Sequence, residues 1–414
     1  MGRAPTRKTE CCQGVAESGG NVEEKDEKNR IGRLMVEPLL DWYAENARKL
    51  AWREDPKPYY VWVSEIMLQQ TRVEAVKGYF ARFIGELPDI AALAGAQEER
   101  LLKLWEGLGY YSRVRSLKKA ACIVMEQYNG KLPRKTEELL KLPGIGAYTA
   151  GAIASIAYGQ VAAAVDGNVL RVMARLWGDG ADTGKEGVRR DWARRLEAVM
   201  PQDFPGAFNQ ALMELGATVC LPNGKPLCAQ CPVGGLCVAH REGTWEKFPV
   251  KAKKKPRRIE ERTVLLVETR EGFLVRKRPD KGLLAGLWEY PAVSGEKTET
   301  EILELFAKAG DIVGGILPLG KAKHIFSHIE WHMQGYYVQI RELSPDFAKI
   351  CFENEKMYDI MKDGFPAGCI PVAWERLEAE YSIPSALEAY RKAVKKLLAS
   401  RENGAEGGGL ERNG

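Results

Sequence analysis

Between residues 37 and 240, apolar positions recur every three or four residues, in runs cut by glycine and proline at "LPD", "KLPR", "LPGIG" and "MPQDFPG". That period belongs to helices with one buried face, so this stretch is predicted to be almost wholly helical. One segment fits awkwardly. "WVSEIMLQQTRV", residues 62–73, starts as an amphipathic helix yet sets Glu65, Gln69 and Gln70 among bulky apolar side chains. From Arg262 the period drops to two, and "RTVLLVETREGFLVRKRP" predicts two strands joined by a turn at Arg270–Gly272. "TEILELFAKAG" predicts a helix, "EWHMQGYYVQI" a further strand, and "SALEAYRKAVKKLLAS" a closing helix. The expected fold class is therefore a mainly α N-terminal region followed by an α+β domain.

Domain limits follow from where the pattern fails. Residues 1–30 carry mixed charge and no apolar signal core, so they are expected to be a disordered tail. The helical domain takes residues 31–240. "EKFPVKAKKKPRRIEER" places seven Lys or Arg between Lys247 and Arg258, which suits an extended basic linker at 241–261. The α+β domain spans 262–398, and the glycine-rich 399–414 is expected to be a second disordered tail. No internal repeat is present. A chain of 414 residues is long enough for two or three domains, each with its own core. No run of about 18 apolar residues exists, so no membrane-spanning helix is expected. The formal charge of +5 permits a polyanionic partner without requiring one.

Four of the nine cysteines crowd into "CLPNGKPLCAQCPVGGLC", where Cys220, Cys228, Cys231 and Cys237 are spaced C-x7-C-x2-C-x5-C. Crowding of this kind, in a chain without an export signal, points to metal ligation rather than disulfides. Zinc is the ordinary occupant of four thiolates but usually takes two close pairs. Only one close pair is present, and the wider gaps suit a bulkier iron–sulfur cluster. Four thiolate ligands leave no open position, so the role is structural. Cys122, Cys351 and Cys369 read as packing residues, and Cys11 and Cys12 as tail.

In "LLKLPGIGAYTAGAIASIAYG" a helix through Lys141 is stopped by Pro143 and another begins at Ala147, with Gly144 and Gly146 making the turn between. Its free amides suit a phosphate, although any hairpin between helices uses glycines the same way. Twenty residues past Gly146 comes "VDGNVLRV", in which Asp166 reads as a helix N-cap, held ionised by backbone N–H groups. Taken alone, Glu65 reads as a solvated helix residue and Asp166 as a cap.

Together, "WVSEIMLQQTRV", "LWEGLGYYSRVRSL", "LPGIGAYTAGAIASIAYG" and "VAAAVDGNVLRVMARL", in this order and ahead of a four-cysteine loop, resemble the helix-hairpin-helix DNA glycosylases of the MutY adenine type. The C-terminal half resembles that family's Nudix-like 8-oxoguanine-recognition domain. The resemblance implies excision of adenine mispaired with 8-oxoguanine or guanine in double-stranded DNA. It implies a monomer carrying a 4Fe–4S cluster, acting in the cytoplasm and on the nucleoid if the source is bacterial. It makes Glu65 the general acid, Asp166 the fixed anion beside the sugar, and Tyr148 and Asn168 their supports. Trp52 and Arg53 would line the base pocket. Gln70 would fill the vacated stack with Thr71 beside it, and Tyr110 would wedge next to 8-oxoguanine. Gly144, Gly146, Arg72 and Arg113 would meet phosphates, and Phe326, Ser327 and His328 would contact 8-oxoguanine. The chemistry demands such a pair, because a leaving base needs a proton and the sugar passes through a cation. No histidine lies between residues 37 and 239, which leaves carboxylates for the proton work.

Three further details bear on this resemblance. Related bifunctional enzymes carry a lysine nucleophile in the hairpin, where this chain has Tyr148, so a monofunctional hydrolase is expected. The family's first cysteine gap encloses six residues, whereas Cys220 to Cys228 encloses seven. The helix "TETEILELFAKAG" lacks the acidic Nudix signature, which argues against pyrophosphate hydrolysis. The rival readings are a bifunctional endonuclease III-like lyase for oxidised pyrimidines and a lesion-binding protein without chemistry.

Overall fold

The computed structural model describes residues 19–252, 256–308, 310–342 and 369–406. Its contacts divide into two compact units. One comprises the described residues up to Glu65 together with those from Leu132 to 252. The other comprises Ile66–Lys131 together with the described residues from 256 onward.

The first unit is helical. Its core is the helix Gly167–Trp177, in which every residue from Val169 to Trp177 is buried. Asp166 caps its start, and Gly178, with φ 62°, closes its end in the left-handed conformation that glycine adopts most readily. Pro205–Thr218, opened by a proline in its first turn, packs on this helix and, in turn, against Val36–Asn46. Burying Val169, Met173, Phe208 and Leu212 in this cluster contributes roughly 1.5–3 kcal/mol for each side chain. The hairpin runs from the short helix Thr136–Leu139 through the Gly144 turn, at φ 80°, into Ala147–Ala152. The helix expected to reach Lys141 ends two residues sooner.

Two segments anticipated as disorder contain helix. A helix covers Gly19–Leu34, inside the segment anticipated as disorder. Its Glu and Lys content favours helix, and its far end is anchored by buried Ile31 and by Lys28, which pairs with Asp179 at 2.9 Å. The closing helix runs Glu388–Glu406, eight residues beyond the expected limit. The basic linker is shorter than expected, since Arg258 already lies in a strand. Residues 1–18, with Cys11 and Cys12, and the segment containing Cys351 lie outside the described residues.

The second unit joins the helices Val73–Glu86, Ile90–Gly95, Glu98–Leu104 and Ser112–Gln127 to a seven-stranded mixed sheet. The strands are β1 (Arg258–Thr269), β2 (Gly272–Lys277), β3 (Trp288–Glu289), β4 (Ala292–Ser294), β5 (Ile312–Ile325), β6 (Ile329–Glu342) and β7 (Cys369–Val372). β1 runs parallel to β6, with Arg258 opposite Ile329 and Val267 opposite Val338. Its alternate residues feed two cores. Val264 and Leu266 pack with Trp331, Tyr337 and the closing helix, while Leu265 and Val267 pack with Ile302 and Phe306 of the helix Glu299–Lys308. Helices on both faces explain why this strand reads as an unbroken apolar run. β5 was not anticipated. Its "VGGILPLGK" carries strand breakers, which an edge strand tolerates at irregular positions, and its pairing with β6 slips beside Gly315 and Gly320. The architecture is thus a helical N-terminal region and an α+β domain with a mixed sheet. Among the described residues no helix is long and apolar enough to cross a membrane.

Candidate active site

In the first unit, the helix Pro58–Leu68 turns Glu65 inward, leaving it only 5% exposed. The Tyr148 hydroxyl, from the helix that follows the hairpin, donates to Glu65 Oε2. Burial pushes the Glu65 carboxyl up to about 7. The Tyr148 hydrogen bond and the Arg53 charge oppose that rise, and the negative charge of Asp166 adds to it. The Tyr148 phenol is held well above its ordinary value, chiefly by burial, so it remains a donor. A carboxyl group poised near neutrality can hold a proton at pH 7 and surrender it.

Asp166 is built differently. Its Oδ1 accepts from the Asn168 and Val169 backbone N–H groups, both at 2.8 Å, and its Oδ2 accepts from Asn168 Nδ2 at 2.7 Å. Burial holds its carboxyl above the ordinary value, although those three bonds and the Arg171 charge pull against the rise. Two carboxylates thus share one buried neighbourhood with unequal partners, one facing a single phenol and the other three N–H donors.

Residues that sequence reasoning passed over complete the arrangement. Arg171 Nη2 donates to Asn168 Oδ1 at 2.9 Å and to the Gly216 carbonyl at 2.7 Å, and its Nε reaches the Cys220 carbonyl at 2.8 Å. One turn on, Arg175 Nη1 lies 3.3 Å from Cys220 Sγ. The helix Gly167–Trp177 therefore ties Asp166 to the cysteine loop by hydrogen bonds. Glu214 is fully buried and binds both Arg48, at 2.6 and 2.8 Å, and Arg53, at 2.8 Å. Burial works against the Glu214 charge, but the two arginines hold its carboxyl below the ordinary value. Its sequence signal was a lone charged residue between Leu212 and Leu215 on a helix with no other charge. Trp52, beside Arg53, is 5% exposed.

Gly216 has a steric duty. A Cβ there would sit 2.6 Å from Asn168 Cβ and 3.1 Å from its Cα. Gly216→Ala should therefore displace Asn168, lower stability by about 1–3 kcal/mol and slow the reaction. Thermal melts and single-turnover rates check both effects.

Cys220, Cys228, Cys231 and Cys237 line one cavity together with Val172, Arg175, Leu215 and His240. Among the described residues, no three His, Cys, Asp or Glu side chains converge closely enough to hold a single metal ion. Burial pushes the Cys231 thiol up to about 12 and raises Cys228 and Cys237, so a bound cation would be needed to ionise them. Cys369 is buried in β7 and Cys122 is half-buried.

The second unit gathers other candidates. Gln70 (φ 61°) and Tyr110 (φ 48°) are both left-handed and exposed, a conformation costing on the order of 1–3 kcal/mol. Tyr110 Oη lies 3.2 Å from Ser327 Oγ. Phe326, Ser327 and His328 form the hairpin between β5 and β6; Phe326 stacks edge-on against Trp331 at 4.8 Å, while Ser327 and His328 are exposed. Thr71 donates to the Gln69 carbonyl at 3.5 Å, and exposed Arg72 opens the next helix. Arg113, expected at a phosphate, instead spends its guanidinium on backbone carbonyls, because it is folded in beneath the two left-handed residues. In the first unit, the hairpin's Gly144, Gly146 and Ala147 are exposed.

Residues 63–198 match the HhH-GPD superfamily base excision DNA repair proteins, and residues 263–390 match the NUDIX domain. Fold and site therefore define a helix-hairpin-helix protein of the base excision repair class with a Nudix-like domain. The chain is 39% identical over 368 residues to the adenine DNA glycosylase of Mus musculus, covering 75% of this chain and 71% of that one. It is 32% identical over 321 residues to that of Buchnera aphidicola subsp. Acyrthosiphon pisum (strain APS), covering 77% and 89%. It belongs to the adenine DNA glycosylase family. A solved thermostable thymine-DNA glycosylase is 28% identical, with TM-score 0.48, and covers 52% of this chain and 100% of that one.

Proposed function

We propose that this protein removes adenine paired with 8-oxoguanine, or with guanine, from duplex DNA by hydrolysis and leaves an abasic site. The observation that carries the proposal is Glu65, buried and raised to about 7 in the neighbourhood of an Asp166 fed by three N–H donors. Protonated Glu65 gives its proton to a ring nitrogen of the extruded base. The C1′–N9 bond breaks, and its electron pair leaves with adenine. The developing sugar cation lies against ionised Asp166. Water then adds at C1′ and returns a proton to Glu65. Arg53 and Trp52 line the base pocket, and Asn168 holds Asp166 in register.

Reaching a stacked base requires extruding it. Gln70 fills the gap, with Thr71 beside it, and Tyr110 wedges on the opposite strand. Phe326, Ser327 and His328 read the 8-oxoguanine. The Gly144–Gly146 amides and Arg72 hold phosphates. The helical catalytic domain takes in the helix Gly19–Leu34 and runs to about residue 240, and the recognition domain runs from β1, at Arg258, into the closing helix Glu388–Glu406. The test is a panel of duplexes pairing adenine with 8-oxoguanine, guanine or thymine at one stated salt concentration. Free adenine is expected from the first two. Excision of oxidised pyrimidines with adenine untouched would overturn the reading.

The four cysteines fit a 4Fe–4S cluster. They line one cavity together, and their spacing, with one close pair at Cys228 and Cys231, suits a cluster better than the two close pairs that zinc usually takes. Bound there, the cluster would supply a structural cross-link. Purified protein should be brown and carry about four irons per chain, a count set by this cluster type. Colourless, zinc-loaded protein would contradict the assignment.

A further inference from the structure

Gln70 and Tyr110 lie 40 residues apart in the sequence, and each sits in the left-handed region that non-glycine side chains rarely adopt. One side chain braces both. The helix Pro58–Leu68 ends just before Gln70, leaving its last carbonyls without helical partners. Arg113 Nη1 takes three carbonyls from that stretch: Ile66 at 2.7 Å, Met67 at 3.1 Å and Gln69 at 2.7 Å. Its Nη2 takes the two carbonyls ahead of Tyr110, Leu108 and Gly109, each at 3.0 Å. The Trp105 indole also donates to the Gly109 carbonyl at 3.1 Å. The guanidinium lies 5.4 Å from the Trp105 ring centroid and 5.7 Å from that of Tyr110.

We propose that Arg113 is a positioning residue that locks Gln70 and Tyr110 together in their duplex-reading posture, rather than a phosphate ligand. The inference rests on the assignment of those two side chains to the extruded site made above. Planar geometry is what the task requires. A guanidinium offers a rigid fork of N–H donors that spans two loops, whereas a lysine ammonium is a compact point charge. With its Nη hydrogens aimed at carbonyls, Arg113 has little left for DNA. Without the brace, each left-handed residue relaxes toward ordinary backbone geometry and swings its side chain off target. Both reading functions are then lost together, although neither side chain has changed.

The experiment compares the full-length protein with Arg113→Lys, measuring duplex affinity against salt and single-turnover excision of adenine opposite 8-oxoguanine. A brace leaves the salt slope as in wild type, because no phosphate contact is lost, while excision falls by about 100-fold, the scale of an ångström-sized misplacement. A phosphate ligand would instead lower the slope by about one unit and weaken binding uniformly; that result, or unchanged excision, overturns the inference. Should Arg113→Lys fail to fold, wild-type protein labelled with 15N-arginine decides. Slow solvent exchange of the Arg113 Nη protons with and without duplex supports the brace, and a guanidinium signal that moves onto DNA refutes it. Wild-type protein that releases no adenine sinks the functional assignment and this inference together; an active wild type matched by Arg113→Lys sinks only the latter.

Discussion

Glu65→Gln is expected to bind a mispaired duplex as well as wild type while excising adenine about 10³- to 10⁴-fold more slowly, the scale of a lost general acid. Glutamine is nearly the same shape and keeps an oxygen to accept from Tyr148, so the pocket survives and only the transferable proton is lost. Wild-type activity should itself fall as pH rises through about 7, where the Glu65 carboxyl releases its proton. The same carboxyl also contributes to stability, and in the same direction. Between its ordinary value of 4.5 and about 7, the folded protein holds a proton that the unfolded chain has released, so stability falls as pH rises across that window. Below 4.5 the contribution is fully present. Above about 7 the ionised carboxyl costs the fold about 3 kcal/mol. Glu65→Gln removes that cost. It should melt higher than wild type at pH 8 and at a similar temperature at pH 4. Calorimetry at both values checks this, and equal melting temperatures at pH 8 would show that Glu65 carries no burial penalty.

Asp166→Asn is expected to slow excision by about 10²- to 10³-fold, the usual result of removing one fixed electrostatic partner of a transition state. Asparagine ranks with aspartate as an N-cap, so the Asn168 and Val169 N–H groups keep their acceptor and the helix Gly167–Trp177 keeps its start. The other oxygen is harder to replace. Asn168 points its Nδ2 at Asp166 and its Oδ1 at Arg171, and the arginine fixes that orientation because it can only donate. An amide at position 166 sets two N–H₂ groups face to face, and turning Asn168 over moves the conflict to Arg171. One unsatisfied donor costs about 1–3 kcal/mol. The expected outcome is a modest fall in melting temperature beside a large fall in rate, measured at saturating enzyme. A rate within tenfold of wild type would remove the fixed anion from the mechanism.

The period-two stretch at 262–278 and the Gly144 turn were legible because each is a local pattern, with alternation in one and glycine at a reversal in the other. β5 was not, since Gly314, Gly315, Pro318 and Gly320 punctuate it, and only its long pairing with β6 holds it extended. The helix from Gly19 was hidden by charge; what anchors it is Ile31 in a core assembled from distant residues. In the site, Glu65 and Asp166 were readable through long motifs. Arg171 and Glu214 were not, because each also depends on partners tens or hundreds of residues away. Gly216 looks like any helix glycine until Asn168 is seen lying against it. Arg113 shows the opposite failure. A basic residue in a DNA-binding motif suggests a phosphate contact, and only the positions of five carbonyls reveal what it holds.

The most direct measurement incubates wild-type protein with a duplex pairing adenine with 8-oxoguanine, then counts free adenine, abasic sites and broken strands, with borohydride present in a parallel sample. Water-mediated cleavage by two acidic side chains predicts one adenine released for every abasic site, an intact strand until heat or base is applied, and no trapped covalent adduct. Dominant strand breakage with a borohydride-trapped protein–DNA adduct would mean that an amine attacks the sugar, and the paired-carboxylate account would be wrong.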